Sequence, residues 1–389
     1  MILEYGAKNC LSFKDWLQIS FEASRKDTPA EYCFSTAKVF PWLCLEGSNA
    51  SGKTNALKIL YFIFCFARDS FQSDPDEDIA YDTFFNNDDK AEFYLNFTLE
   101  DFNKTKDSFQ YELVLSNKKV YSERLYLQKG TAKRKRIVSR VKDKVVDDYF
   151  GTDKKIVYRD NVSFFSTLFQ YGIVSSDPFK NFFRNCYSNV NYFGIGVLAQ
   201  GDINKLYYDN PGLLKIVTNE LKRFDMGITD IKIELNKNST LKDKDKYYPV
   251  FYHHTEEGDK KLLAYSQSTG TLKLFNILSY FIRTLLDGGI IIMDEIDRGL
   301  HDEIVFELLS NFKAKNNKKN AQIIFTSHNS QLLDKAKKYR SYFFEKASGE
   351  SYCYRGDEID LSIRNDRSLT ALYNNGDLGG KPNIGTKKK

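Results

Sequence analysis

Hydrophobic and polar positions along the chain follow two different rhythms. In the first third, LSFKDWLQISFEAS (11–24) alternates apolar and polar residues as a half-buried strand pair does. AEFYLNFTLE (91–100), SFQYELVLSNKKV (108–120) and YSERLYLQK (121–129) read as three further β segments separated by turn residues. Between them WLCLEG (42–47) is a short apolar run stopped by Gly47, and NALKILYFIFCFARD (55–69) has helical spacing. The acidic stretch DPDEDIAYDTFFNNDD (74–89) reads as loop. Residues 161–227 read mainly as helix, broken at DNPG and FDMGI, before ITDIKIELNK and YYPVFYHHTEE return to strand.

The last third changes rhythm. TLKLFNILSYFIRTLL predicts a helix, GGIIIMDE a buried strand, DEIVFELLSNFKA a helix and NAQIIFTSHN a second buried strand, followed by SQLLDKAKKYRSYFFEKA. All-apolar strands alternating with helices predict a parallel sheet covered on both faces, hence an α/β fold. The chain divides into an N-terminal lobe over 1–160, a compact helical stretch over 161–228 and a C-terminal lobe over 229–389. It has no internal repeat.

Composition narrows the class only a little. Hydrophobic residues at 42% and charged residues at 28% describe a globular protein with ample core, and a net charge of +5 does not by itself imply a nucleic-acid partner. The six cysteines (Cys10, Cys33, Cys44, Cys65, Cys186, Cys353) have no metal-type spacing, which suggests reduced thiols and a cytoplasmic location. MILEYGAKNCLSFKD lacks a signal-peptide layout, and LKILYFIFCFARD is too short to span a membrane. The terminal KKK (387–389) reads as a frayed tail.

Candidate chemistry changes the picture more. GSNASGKT (Gly47, Ser48, Asn49, Ala50, Ser51, Gly52, Lys53, Thr54) matches G-x-x-x-x-G-K-[ST] after a strand and before a helix. Small residues let successive backbone N–H groups face one concavity, and the helix N-terminus adds positive potential for phosphates. Lys53 would reach the β- and γ-phosphates of ATP, Thr54 would ligate Mg²⁺, and Asn55 completes the candidate nucleotide-binding set. At the end of GGIIIMDE, Asp294 is the candidate second support for the metal and Glu295 the candidate general base. Two acids there could instead cap a solvated helix. His328, closing IIFTSHN, would contact the γ-phosphate or orient water, although a lone histidine is often structural.

These elements in this order resemble the ABC-type ATPase heads of the SMC, RecF and OLD group. SQSTGTLKLF (266–275) resembles the signature loop of that group, with Ser268 and Gly270 in its Ser and Gly positions and Thr271 beside them. The resemblance implies an ABC-type P-loop head with a mixed β-subdomain. It also implies that the signature loop binds the γ-phosphate held by an opposite protomer, sandwiching two ATPs in a head-to-tail dimer. DRGLH (Asp297–His301) stands where the group has its D-loop. Short helices without heptads in 161–228 replace the long coiled-coil arm of SMC proteins.

The match is closer to small ATPases of bacterial anti-phage systems, AbiLi-like proteins and the AriA subunit of PARIS. GAKNCLSFKDWLQISFEAS resembles their opening strands, VYSERLYLQKGTAKRKRIVSR their middle β region, and RSLTALYNNGDLGGKPNIG their closing segment, with Leu378 where an aromatic is usual. Gln72 and Gln170 are both possible Q-loop glutamines. The chain has no HxxEH or HExxH motif, so any nuclease activity is expected in a separate effector chain.

KGTAKRKRIVSRVKDK (129–144) carries eight basic residues. It could meet a nucleic-acid backbone, guard a strand edge, or dock an acidic protein such as a phage trigger. The expectation is an ATPase subunit of abortive infection that forms ATP-dependent dimers or larger homo-oligomers and controls an effector nuclease. The alternative is a RecF-like repair ATPase that binds DNA through this basic run.

Overall fold

The structure is a computed structural model. It describes residues 1–23, 28–34, 38–99, 107–142, 144–151, 156–191, 194–195, 200–225, 227–236, 246–313, 317–359 and 363–381. The KKK tail lies outside them.

Alternating apolar segments build an antiparallel sheet of β1 (Ile2–Lys8), β2 (Leu17–Ser20), β4 (Ala91–Phe97), β5 (Ser108–Leu115), β6 (Val120–Gln128), β7 (Lys135–Val141) and β8 (Lys144–Asp148), in the order β2-β1-β4-β5-β6-β7-β8. The expected strand pair in 11–24 is a single strand, β2. Its partner is β1, and the residues before it form a turn bridged from Cys10 to Phe13.

The continuous apolar runs build a second sheet. It contains β3 (Trp42–Gly47), β9 (Cys186–Ser188), β15 (Ile290–Met293), β16 (Gln322–Thr326), β17 (Ser341–Ala347) and β18 (Glu350–Arg355), in the order β18-β17-β3-β16-β15-β9. All neighbours are parallel except the β17–β18 pair. Strand parity explains why these runs have no polar face. Leu43, Leu45, Ile290, Ile292 and Ile324 join a core with the antiparallel sheet, whereas Trp42, Cys44, Ile291, Met293, Ile323 and Phe325 join a second core on the opposite face. Each such side chain, fully buried, contributes roughly 1.5–3 kcal/mol.

Helix α1 (Lys53–Asp69) packs in the first core with α2 (Phe164–Gln170) and α3 (Asp177–Arg184). The second core takes residues of α4 (Gln200–Asp209), α5 (Pro211–Phe224), α6 (Thr269–Asp287), α7 (Asp302–Ser310) and α8 (Gln331–Arg340). α9 (Leu369–Asn375) packs with Leu333 and Phe343 in a smaller cluster. A short antiparallel sheet of β12 (Ile228–Leu235), β13 (Tyr247–His253) and β14 (Lys260–Leu263) precedes α6, and β10 (Val190–Asn191) pairs with β11 (Gly194–Ile195). The fold is α/β. Its longest described helix, α6, has 19 residues, so no coiled-coil arm emerges among the described residues. No described helix is long and apolar enough to cross a membrane.

Two further findings depart from the sequence reading. Within the stretch read as helical, Cys186–Ser188 forms an edge strand of the parallel sheet, paired with β15. In the basic run, Arg140 is fully buried and pairs with Glu123 at 3.2 Å. Glu123 also accepts from Tyr111 and Ser163 at 2.6 Å each and from the Phe164 amide at 2.9 Å, so the charge pair ties β6 and β7 to the start of α2. Removing one partner of such a pair costs about 3–5 kcal/mol. Arg140 is structural; Lys129, Lys133, Arg134, Lys135, Arg136, Lys142 and Lys144 remain exposed.

Candidate nucleotide site

β3 delivers Gly47 to the C-terminal edge of the parallel sheet, and α1 starts six residues later at Lys53. The loop between needs a bare backbone. Gly52 has φ 114°, and a Cβ there would lie 2.7 Å from the Ser351 hydroxyl. Ser48, Asn49 and Ala50 form the accessible tip, while Ser51 and Gly52 are buried. Lys53 is buried and folds back over the loop, donating to the Gly47 carbonyl at 2.6 Å and the Ser48 carbonyl at 2.9 Å. Burial lowers its pKa, opposed by the carboxylates of Glu46, Asp294 and Glu295. Asn55 points elsewhere: its amide donates to Ser12 at 2.8 Å, pinning α1 to the turn after β1.

Neighbouring parallel strands bring the other candidates to the same edge. Thr54 donates to one oxygen of Asp294 at 2.7 Å, and Thr326, ending β16, donates to the other. Asn189, just past β9, exchanges two 2.8 Å hydrogen bonds with the main chain of Asp294. Glu295 takes φ 50°, and its amide donates to Thr326 at 2.8 Å. Its carboxylate lies 3.3 Å from Arg298 and 3.4 Å from the His328 ring, while the His328 amide donates to Asp297 at 3.1 Å. The structure therefore joins Lys53, Thr54, Asp294, Glu295 and His328 in one cluster. Two hard oxygens, Thr54 Oγ1 and Asp294 Oδ2, converge there as a magnesium-type donor pair. The concave backbone around Gly52 and the buried ammonium suit a triphosphate.

The signature candidates sit elsewhere in the chain. Ser268 caps α6 by accepting from the Thr271 amide at 3.0 Å, and Thr271 donates to Asp225 at 2.9 Å. Gly270 lies against the turn after Glu295, where an added Cβ would approach the Gly299 carbonyl to 3.1 Å. Among the described residues, none of the three hydrogen-bonds to the phosphate loop. Tyr265, just before them, is 85% exposed. Gln72 and Gln170 are both exposed. His301 accepts from the Glu303 amide at 3.3 Å and caps α7.

Sequence reasoning missed Asn189, Thr326 and Lys273. Lys273, on α6, donates to the carbonyls of Glu295, Ile296 and Arg298 at 3.1, 3.0 and 2.6 Å, bracing the turn that holds the acids. Burial lowers its pKa to about 8, against the pull of Asp297 and Glu295. Thr326 adjoins the Ser327-His328-Asn329 run and was within reach of motif reading. Asn189 and Lys273 act through tertiary contacts that leave no local signal.

Residues 43–334 match a family profile described as "AAA domain, putative AbiEii toxin, Type IV TA system" (AAA_21). No curated protein matches the chain. Among solved structures it is similar to an SMC head bound to the C-winged helix domain of ScpA, at 13% identity and TM-score 0.49, covering 91% of this chain and 97% of that one. The SMC head domain from Thermotoga maritima gives 13% identity, 91% and 98% coverage and TM-score 0.44. An SMC head with an extended coiled coil, bound to the C-terminal domain of ScpA from Pyrococcus furiosus, gives 12% identity, 91% and 95% coverage and TM-score 0.40.

Proposed function

The chain belongs to the AAA_21 family of P-loop ATPase domains, which is associated with abortive-infection toxin systems, and on that premise we propose that it is the ATP-hydrolysing subunit of an anti-phage complex. One observation carries the reading: the phosphate-loop lysine and threonine, two strand-end acids and a histidine share one edge of a parallel sheet. Gly47 to Thr54 hold the phosphates of ATP. Thr54 and Asp294 hold Mg²⁺, which neutralises charge on the phosphate oxygens. Glu295 accepts the proton of the attacking water, and His328, 3.4 Å from it, orients that water or contacts the γ-phosphate.

Among the described residues, Ser268, Gly270 and Thr271 make no hydrogen bond to the phosphate loop of their own chain, which supports completion of the site by a second copy. ATP binding then drives dimer formation, and hydrolysis reverses it. In the cytoplasm this cycle governs a separate effector, a nuclease. The test is direct: size the protein by light scattering with and without Mg-ATP, and assay cleavage of DNA, RNA and tRNA. Nucleotide-dependent dimers without cleavage support the reading. Robust cleavage that survives Lys53→Ala overturns it. A second reading, a DNA-binding repair ATPase, draws on the exposed hairpin Lys129, Lys133, Arg134, Lys135 and Arg136. Duplex binding that weakens steeply with salt, together with DNA-stimulated turnover, would favour it.

A further inference from the structure

Glu46, immediately before the phosphate loop, is an unusual residue to bury. It is 3% exposed at the end of β3, and its Oε2 has no hydrogen-bond partner among the described residues. On β3, Glu46 shares its face with Trp42 and Cys44, away from the α1 core, and its register partner is Phe343 of β17. The charged and titratable groups facing it are Lys53 from α1, Asp297 from the turn after β15, Tyr373 from α9, and Cys44 on its own strand. One oxygen of Asp297, Oδ1, is likewise buried without a partner. The sole positive charge among these groups is Lys53.

The C-terminal segment closes over this spot. Tyr373 stacks on Phe343 with ring centres 6.0 Å apart and donates to the Gly380 carbonyl at 3.1 Å. The Gly380 amide donates to Glu345 at 2.8 Å, and Leu378 is buried. A Cβ on Gly380 would lie only 3.4 Å from the Gly47 Cα. Water therefore has little access to Glu46 from the side opposite the nucleotide.

We propose that Glu46 is a positioning residue for the phosphate loop: its carboxylate balances Lys53 while the site is empty and takes one proton from solvent when a nucleoside triphosphate engages that lysine. The inference rests on the nucleotide reading above. Its physical logic is a charge count. Burial already raises the Glu46 pKa to about 7, with Asp297 adding to the rise, and Lys53 opposes it most strongly, followed by the Gly47 amide and Tyr373. A triphosphate commits the Lys53 charge to itself and adds negative charge nearby, so the carboxylate loses its counter-charge and protonates. The neutral carboxyl then gains a donor while its neighbour Asp297 holds an unpaired acceptor.

The test is calorimetric titration of the full chain with a magnesium-loaded, non-hydrolysable ATP analogue, in two buffers of different ionisation enthalpy, for wild type and Glu46→Gln. Wild type should take up roughly one more proton per nucleotide than Glu46→Gln near pH 8, and almost none more near pH 6. Subtracting the variant removes protons exchanged by the ligand itself. Equal counts in the two proteins at pH 8 overturn the proposal. Should the variant fail to bind, the wild-type count alone decides: uptake at pH 8 that disappears at pH 6 supports it, and no uptake at pH 8 overturns it. A wild type with no binding heat would instead remove the nucleotide reading, and this inference with it.

Discussion

The phosphate-loop edge and the signature face are built by opposite means. At the loop, the two central charges are already paired: Lys53 rests on the Gly47 and Ser48 carbonyls, and Asp294 is held by Thr54, Thr326 and Asn189. Both cores press on the strands that carry them. At the signature face, Ser268 and Thr271 are organised by a helix cap and Asp225, and Tyr265 stands in solvent. On the function proposed above, the first region is a binding surface complete within one chain, and the second is half of a surface that a second copy completes. Lys273 joins them, since it rises from the signature helix to brace the carbonyls around Glu295.

Substitutions on the two sides should therefore fail differently. The largest effect belongs to Lys53→Ala, which should weaken ATP binding by roughly a hundredfold or more in equilibrium dialysis and abolish turnover, because a charge-assisted contact to phosphate is lost. Glu295→Gln should lower turnover by roughly 10²–10⁴-fold while retaining ATP. It should also accumulate a dimer or larger assembly visible by light scattering. If it stays as monomeric as Lys53→Ala in saturating ATP, the two faces do not meet and the comparison fails.

Ser268→Ala sharpens the contrast. Turnover should fall by roughly tenfold to a hundredfold while the affinity of the monomer for ATP is unchanged, and loss of the cap should cost about 1 kcal/mol in urea unfolding. A matching loss of monomer affinity would mean that one chain supplies both halves. The smallest effect concerns pH. The folded state holds the Glu46 proton up to about pH 7, well above an ordinary carboxyl, so its contribution to stability is complete at acid pH and is lost as pH rises through that value. Glu46→Gln should gain on the order of 1–2 kcal/mol over wild type at pH 8, and the gain should vanish below about pH 4. Parallel urea titrations at the two pH values read this directly.

Much of this was legible because it is local. The loop GSNASGKT and its flanking strand and helix occupy consecutive residues, and Asp294-Glu295 and Ser327-His328 each end an apolar run whose period marks a buried strand. What escaped is non-local. Three residues, Cys186–Ser188, are too few to show a period, and only pairing with Ile290–Ile292 makes them a strand. Arg140 looked like one more exposed cation because nothing near it in sequence announces the Glu123 it pairs with. Asn189 and Lys273 serve main-chain atoms of residues 105 and 22–25 positions away. The roles of Ser268, Gly270 and Thr271 were inferred from family likeness, and their geometry in one chain is that of a well-capped helix start.

The three-residue edge strand β9 has a mechanical consequence. It enters the sheet directly from α3 and is followed at once by Asn189, whose amide group grips both main-chain polar atoms of Asp294. A slip of one residue in that short ladder would reverse which side chain faces the acid and release both grips together. Because only three residue pairs anchor the strand to β15, displacing the segment that carries it would strip the main chain of Asp294 of its Asn189 contacts and leave the acid held by Thr54 and Thr326 alone.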